Sequence, residues 1–140
     1  MAIRPYLAFA GNAREAFTEY QKIFGGELNI IGFQDVPEAG PPPSDVKPDG
    51  VMHAALIASD ALLMGADDPN GNFDGNVQGI CVNVSLADPP EARRVFDALS
   101  KGGTVQQPMG ETFFSPAFGM CIDRFGTPWM VMVDPPESQM

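Results

Sequence analysis

Apolar residues recur at helical spacing twice along this chain. Ala13, Ala16, Phe17, Tyr20, Ile23 and Phe24 fall on one helical stripe, and Ala92, Val95, Phe96 and Leu99 on another. Asn12, with Glu15 three residues on, predicts a capping box at the start of the first helix. Asp88, Pro89 and Glu91 open the second in the same way. Gly25-Gly26 and Gly102-Gly103 stop the helices, because glycine readily takes the left-handed conformation at a helix end. Both pairs follow helices instead of preceding them, so they are not phosphate cradles.

Around these helices the pattern changes to period two. Strands are predicted from Ile3 to Ala10 and from Glu27 to Asp35, with a hairpin of Val51 to Ala58 and Ala61 to Ala66 turning at Ser59-Asp60. A second set covers Val77 to Leu86, Thr104 to Phe114, Phe118 to Asp123 and Thr127 to Val133. In the first of these, Ile80, Val82, Val84 and Leu86 make an apolar face, and Cys81, Asn83 and Ser85 belong to a mixed one. Trp129 falls opposite Met130 and is expected in the core. Five prolines between Val36 and Gly50 predict a long exposed loop. Asp67 to Asn76, rich in Gly, Asn and Asp, reads as a solvated linker, and the tail after Asp134 as frayed.

The order strand, helix, three strands therefore occurs twice. Leu62-Leu63-Met64 followed by Asp68-Pro69 is echoed by Pro128-Trp129-Met130 followed by Asp134-Pro135. The expected fold is α+β, with two βαβββ modules in a single domain of 140 residues. Module one covers about residues 1–68, the linker 69–76 and module two 77–134. Such modules predict curved mixed sheets that form a cleft, and a cleft implies a small ligand.

Charge and composition narrow the partner. A net charge of -10 argues against nucleic acid, whose binding rests largely on Lys and Arg. No run is long enough to cross a membrane, and no secretory signal opens the chain. Cys81 and Cys121 then read as reduced thiols of a cytoplasmic protein, with a disulfide between them as the alternative.

Several segments resemble a known family. Pro5-Tyr6-Leu7-Ala8-Phe9-Ala10-Gly11-Asn12, Glu111-Thr112-Phe113-Phe114 and Asp123-Arg124-Phe125-Gly126-Thr127-Pro128-Trp129-Met130 resemble the PhnB-like branch of the vicinal oxygen chelate superfamily. That superfamily includes glyoxalase I and bleomycin-resistance proteins. Phe114 departs from the branch pattern, where tryptophan is expected. The branch has carried a 3-demethylubiquinone methyltransferase-like description. No Gly-rich nucleotide loop after a strand supports that activity here.

The resemblance implies a divalent-metal site in the superfamily's metal-dependent members, built by His or Glu on the first, fourth, fifth and eighth strands. The matching positions here are Pro5, Met64, Cys81 and Met130. Proline has no side-chain donor and thioethers suit hard ions poorly, so no metal and no cofactor are expected. Packing is the ordinary use of such methionines, and Cu(I) the alternative.

The expected function is metal-independent binding of a small organic molecule, as bleomycin-resistance proteins bind theirs. Pro5, Leu7, Met64, Cys81, Asn83, Phe113 and Met130 are the expected ligand contacts. The alternative is an enzyme of the same superfamily, a lyase, isomerase or dioxygenase. It would be metal-dependent or would use His53 and Glu111 as proton movers. His53 also reads as a satisfied strand histidine, and Glu111 as an exposed strand-end charge. The scaffold further implies a homodimer.

Overall fold

A computed structural model describes residues 1–36, 47–70 and 72–135. Most of the proline-rich loop and the last five residues of the tail lie outside the described residues. The chain divides into two units, Met1–Asn76 and Val77–Met140, each with one helix on one sheet.

The first unit runs β1 (Tyr6–Phe9), α1 (Ala13–Phe24), β2 (Glu27–Gly32), β3 (Val51–Ala58) and β4 (Ala61–Asp67). Its sheet has the order β1-β4-β3-β2, with β1 parallel to β4 and the other pairs antiparallel. The second unit repeats the plan. It runs β5 (Val82–Leu86), α2 (Pro89–Ser100), β6 (Thr104–Gly110), β7 (Phe118–Ile122) and β8 (Pro128–Val133), in the order β5-β8-β7-β6. Here β5 and β8 are the parallel pair.

Each helix buries the stripe its spacing predicts. Ala13, Ala16, Phe17 and Tyr20 are fully buried in α1, as are Ala92 and Val95 in α2. Phe17 meets Phe9 edge-on at 5.8 Å and Tyr20 at 5.6 Å. The sheets approach the helices closely through glycine. A Cβ on Gly65 would stand 2.9 Å from the Phe17 ring, and one on Gly119 would stand 2.7 Å from Phe96.

The cap of α1 differs from the expected one. The Asn12 side chain makes no capping bond, and its Oδ1 is buried with no hydrogen-bond partner among the described residues. Asp67, at the end of β4, does the work from outside the helix. Its Oδ1 accepts from the Gly11 and Ala13 amides at 3.0 Å each, and its Oδ2 accepts from the Val51 amide at 2.9 Å. Asp67 is only 4% exposed, so it is a buried strut and no part of a solvated linker. In the second unit Asp88 caps α2 itself, accepting from the Glu91 amide at 2.9 Å.

Asp123 is the second unit's buried carboxylate. Its Oδ1 accepts from the Phe125 and Thr127 amides, and its Oδ2 accepts from the Trp129 indole at 2.8 Å. That bond holds Trp129 in the core, on the face expected from its alternation with Met130.

Strand ends differ from the sequence expectation for local reasons. β2 stops at Gly32, where the Asp35 carboxylate accepts the Gly32 amide at 2.8 Å and a 3₁₀ turn follows. β5 starts at Val82 instead of Val77. Gly79 just ahead of it has φ +78°, which breaks an extended path, and Ile80 is 70% exposed. β6 ends at Gly110, and Thr112 then turns back to donate its amide to the Ser115 carbonyl at 2.8 Å.

Candidate functional site

Because each sheet has its helix on one side only, alternation assigns every strand residue to a helix face or an open face. In the first unit Leu7 pairs with Gly65, which abuts Phe17, and Phe9 packs on the same ring. Leu7 and Phe9 therefore belong to the helix face. The open face carries Tyr6 beside Met64, then Ala55 and Asn29 in the same row across β3 and β2. The next row holds Ala8 beside Ala66 on β1 and β4, and His53 beside Ile31 on β3 and β2.

Two of the expected ligand contacts do not share this open face with Met64. Leu7 lies on the helix face, and Pro5 precedes β1 with the same parity as Leu7. Tyr6 is the residue in register with Met64, and the sequence reading passed over it. The signal was present: with Phe9 committed to the core, period two puts Leu7 with it and Tyr6 opposite.

Tyr6 and His53 meet on this face. The Tyr6 hydroxyl lies 2.9 Å from His53 Nδ1, and the two rings are 5.7 Å apart at 30°. Partial burial pushes the Tyr6 phenol up from an ordinary value that already lies well above the neutral range.

In the second unit Asn83 stands beside Met130, and Met130 beside Met120. Met132 pairs with Phe118 and shares their face. Met120, Met130 and Met132 are all half-buried. At the end of this face the Ser85 hydroxyl donates to Asp134 Oδ1 at 2.7 Å. Cys81 lies just before β5 and is half-buried.

Phe113 is 97% exposed, whereas Phe114 stacks edge-on against Phe118 at 5.1 Å. Phe114, standing where the family expects tryptophan, is thus the aromatic tied to the open face. Glu111 is exposed and belongs to the second unit, while His53 belongs to the first.

The divalent site implied by the superfamily does not fit these residues. The in-register side chains on β1, β4, β5 and β8 are Tyr6, Met64, Asn83 and Met130. Taken unit by unit, a phenol beside a thioether and an amide beside a thioether lack the carboxylates and imidazoles that a divalent ion takes. Among the described residues no three His, Cys, Asp or Glu side chains gather where they could hold a metal ion. The acidic stretch after β4 is also committed elsewhere. Asp68 accepts from the amides of Asn70, Asn72 and Phe73, and those bonds, Asn70's first, hold its carboxyl below the usual range. No described helix is long and apolar enough to cross a membrane.

Known proteins share this plan. The family whose model matches residues 1–132 is described as 3-demethylubiquinone-9 3-methyltransferase. Protein YjdN of Escherichia coli K12 is 32% identical over 142 residues, covering 95% of each chain. Protein PA1353 of Pseudomonas aeruginosa has a crystal structure that is 40% identical, with TM-score 0.85 over 96% of this chain and 98% of its own. The PhnB protein of Bacillus cereus follows at 26% identity and TM-score 0.76, over 95% and 99%. A glyoxalase/bleomycin-resistance/dioxygenase domain from Frankia, at 14% identity and TM-score 0.65 over 96% and 97%, shares the fold. A strand-helix-three-strand unit repeated in one chain, matched to one family from residue 1 to residue 132, places the protein: it belongs to the PhnB-like family described as 3-demethylubiquinone-9 3-methyltransferase.

Proposed function

We propose that this protein is a metal-independent binder of small organic molecules, held against the apolar, Met-lined open faces of its sheets. The observation that carries the reading is the second unit's open face. Three half-buried methionines, Met120, Met130 and Met132, stand together there with Phe118. Thioether side chains are unbranched and polarisable, and they adapt to irregular apolar surfaces. Met64 gives the first unit's open face the same character. The donor set argues against a divalent ion at the superfamily's positions.

Two alternatives have weaker support. Methyl transfer, which the family description names, calls for a methyl-donor site. The turn between β1 and α1 carries Gly11 alone and no Gly-x-Gly-x-x-Gly run. For a metal-free enzyme using His53 and Glu111, the His53 ring is already engaged by Tyr6 and Glu111 is exposed. We also propose a cytoplasmic homodimer.

Native mass spectrometry of the untagged protein tests the reading. A dimer mass with an organic adduct and no stoichiometric metal is expected. One divalent ion per chain would overturn it, and calorimetric binding of S-adenosylmethionine would move the assignment to methyl transfer.

A further inference from the structure

The Tyr6–His53 pair has apolar neighbours on β1, β4 and β3, with Asn29 beyond them on β2, and its geometry is specific. Tyr6 sits on β1 and His53 on β3, with β4 lying between them in the sheet. Two interstrand steps of about 4.8 Å separate their backbones. A phenol can reach that far only if the intervening strand presents little bulk, and β4 offers Ala66 in the His53 row beside Ala8. Ala55 on β3 is small as well. The pair thus overlies a floor of three alanines, rimmed by Met64 and Ile31. The hydrogen bond is open to solvent, so a ligand can reach it.

The bond also fixes the ring's proton. A neutral phenol is a better donor than an imidazole N–H, and an imidazole nitrogen is a better acceptor than a phenol oxygen. The Tyr6 hydroxyl therefore donates to Nδ1, which puts the ring hydrogen of neutral His53 on Nε2. The phenol holds its proton well past neutral pH, so it remains the donor wherever the imidazole is neutral. We propose that His53, oriented by Tyr6, donates its Nε2 hydrogen to a carbonyl oxygen on an otherwise apolar aromatic ligand, with Tyr6 as the positioning residue. The assignment rests on the small-molecule reading above and names its ligand class: planar, apolar molecules bearing one exposed carbonyl.

Two readouts test it. The chain has a single histidine, so ¹⁵N-histidine labelling reports this ring alone. At about pH 8, above the ordinary imidazole range, the wild type should show the Nε2–H tautomer. Tyr6→Phe should relax it toward the free-solution mixture. An Nδ1–H wild-type ring, or no change in Tyr6→Phe, overturns the proposal.

The second readout compares 2-acetylnaphthalene with 2-ethylnaphthalene, which share a shape and differ in the carbonyl. Calorimetry should show the ketone binding about fivefold tighter, the worth of one ordinary hydrogen bond. His53→Ala should erase that preference, the two probes then binding with equal affinity, and His53→Gln, which keeps a donor, should retain part of it. Equal affinity in the wild type, or a preference that survives His53→Ala, overturns this proposal alone. If neither probe binds the wild type, both this proposal and the apolar-ligand reading fall.

Discussion

Asp67 shows how one side chain can join segments distant in sequence. Its carboxylate takes two amides at the start of α1 and a third at the start of β3. It thereby fastens the helix and a neighbouring strand to the end of β4. Hydrogen bonds to a buried charged group are worth more than neutral ones, and their loss strands three amides without an acceptor. Asp67→Ala should therefore cost about 3 kcal/mol, read as a lower urea midpoint at unchanged slope. Asn12→Ala is the contrasting change. Asn12 fits the sequence rule for a cap, yet its buried Oδ1 has no partner among the described residues. Its removal should shift stability by less than about 0.5 kcal/mol, and a loss above about 1 kcal/mol would show that Asn12 caps after all. The thiols give a second test at this scale. Cys121 is fully buried, and burial pushes its thiol up, whereas Cys81 is half-buried. The native chain should react with one equivalent of a thiol reagent and the denatured chain with two, the native modification falling on Cys81. Two fast-reacting native thiols would contradict the burial of Cys121.

At the scale of elements, helix and sheet meet through glycine at different depths in the two units. The Gly119 Cβ position crowds the flexible Phe96 ring at 2.7 Å, with the Met109 Cα at 3.2 Å. The Gly65 position crowds the Phe17 ring and also the Leu7 carbonyl at 2.7 Å, which belongs to the adjacent strand's backbone. Both Gly→Ala changes should destabilise, by about 1–3 kcal/mol from overpacking. Phe96→Leu should recover part of the Gly119→Ala loss, whereas Phe17→Leu should not recover Gly65→Ala, because the carbonyl cannot yield. Equal rescue in both units, by denaturant midpoints of the double variants, would show that ring crowding alone sets the cost.

The same contrast explains what the sequence discloses. Helix stripes are local, so Phe17 and Phe96 announce themselves, as does the repeated order of elements. Trp129 opposite Met130 is legible for the same reason. The face of β1 is not local, because it depends on where Phe9 packs and on a parallel partner over fifty residues away. Local pattern alone therefore does not single out Tyr6, rather than Leu7, as the residue beside Met64. The cap of α1 fails to show for a similar reason: its acceptor arrives from β4, and only the fold brings it there. The start of β5 turned on one backbone angle at Gly79, which alternation of apolar residues does not encode.

For the molecule as a whole, the shifted ionisations bracket a plateau of stability. On the alkaline side Cys121 and Tyr6 are both pushed up by burial. As pH rises past their ordinary values the unfolded chain releases these protons while the folded chain keeps them. The unfolded state then binds fewer protons, and stability falls with pH, first through the thiol range and then through the phenol range. On the acid side the signs reverse. The Arg94 guanidinium, 2.6 Å away, holds the Glu91 carboxyl below its usual range, and the Asn70 amide does the same for Asp68. There the unfolded chain takes up protons first, so stability present above the ordinary carboxylate range is lost as pH drops through it. Both residues are only half-buried and their charges are screened by solvent, so this arm should be shallow. With a net charge of -10, self-repulsion adds to the alkaline loss, and moderate salt should lessen that part. The contribution of burial is separable from the general charge effect. Cys121→Ala removes one raised group and leaves every acidic residue in place. Its plateau should be lower, because a buried side chain has shrunk, but the first part of its alkaline limb should be flatter than the wild type's. Thermal midpoints between about pH 6 and pH 11 at fixed ionic strength decide the matter, since parallel limbs in the two proteins would assign the whole alkaline loss to net charge.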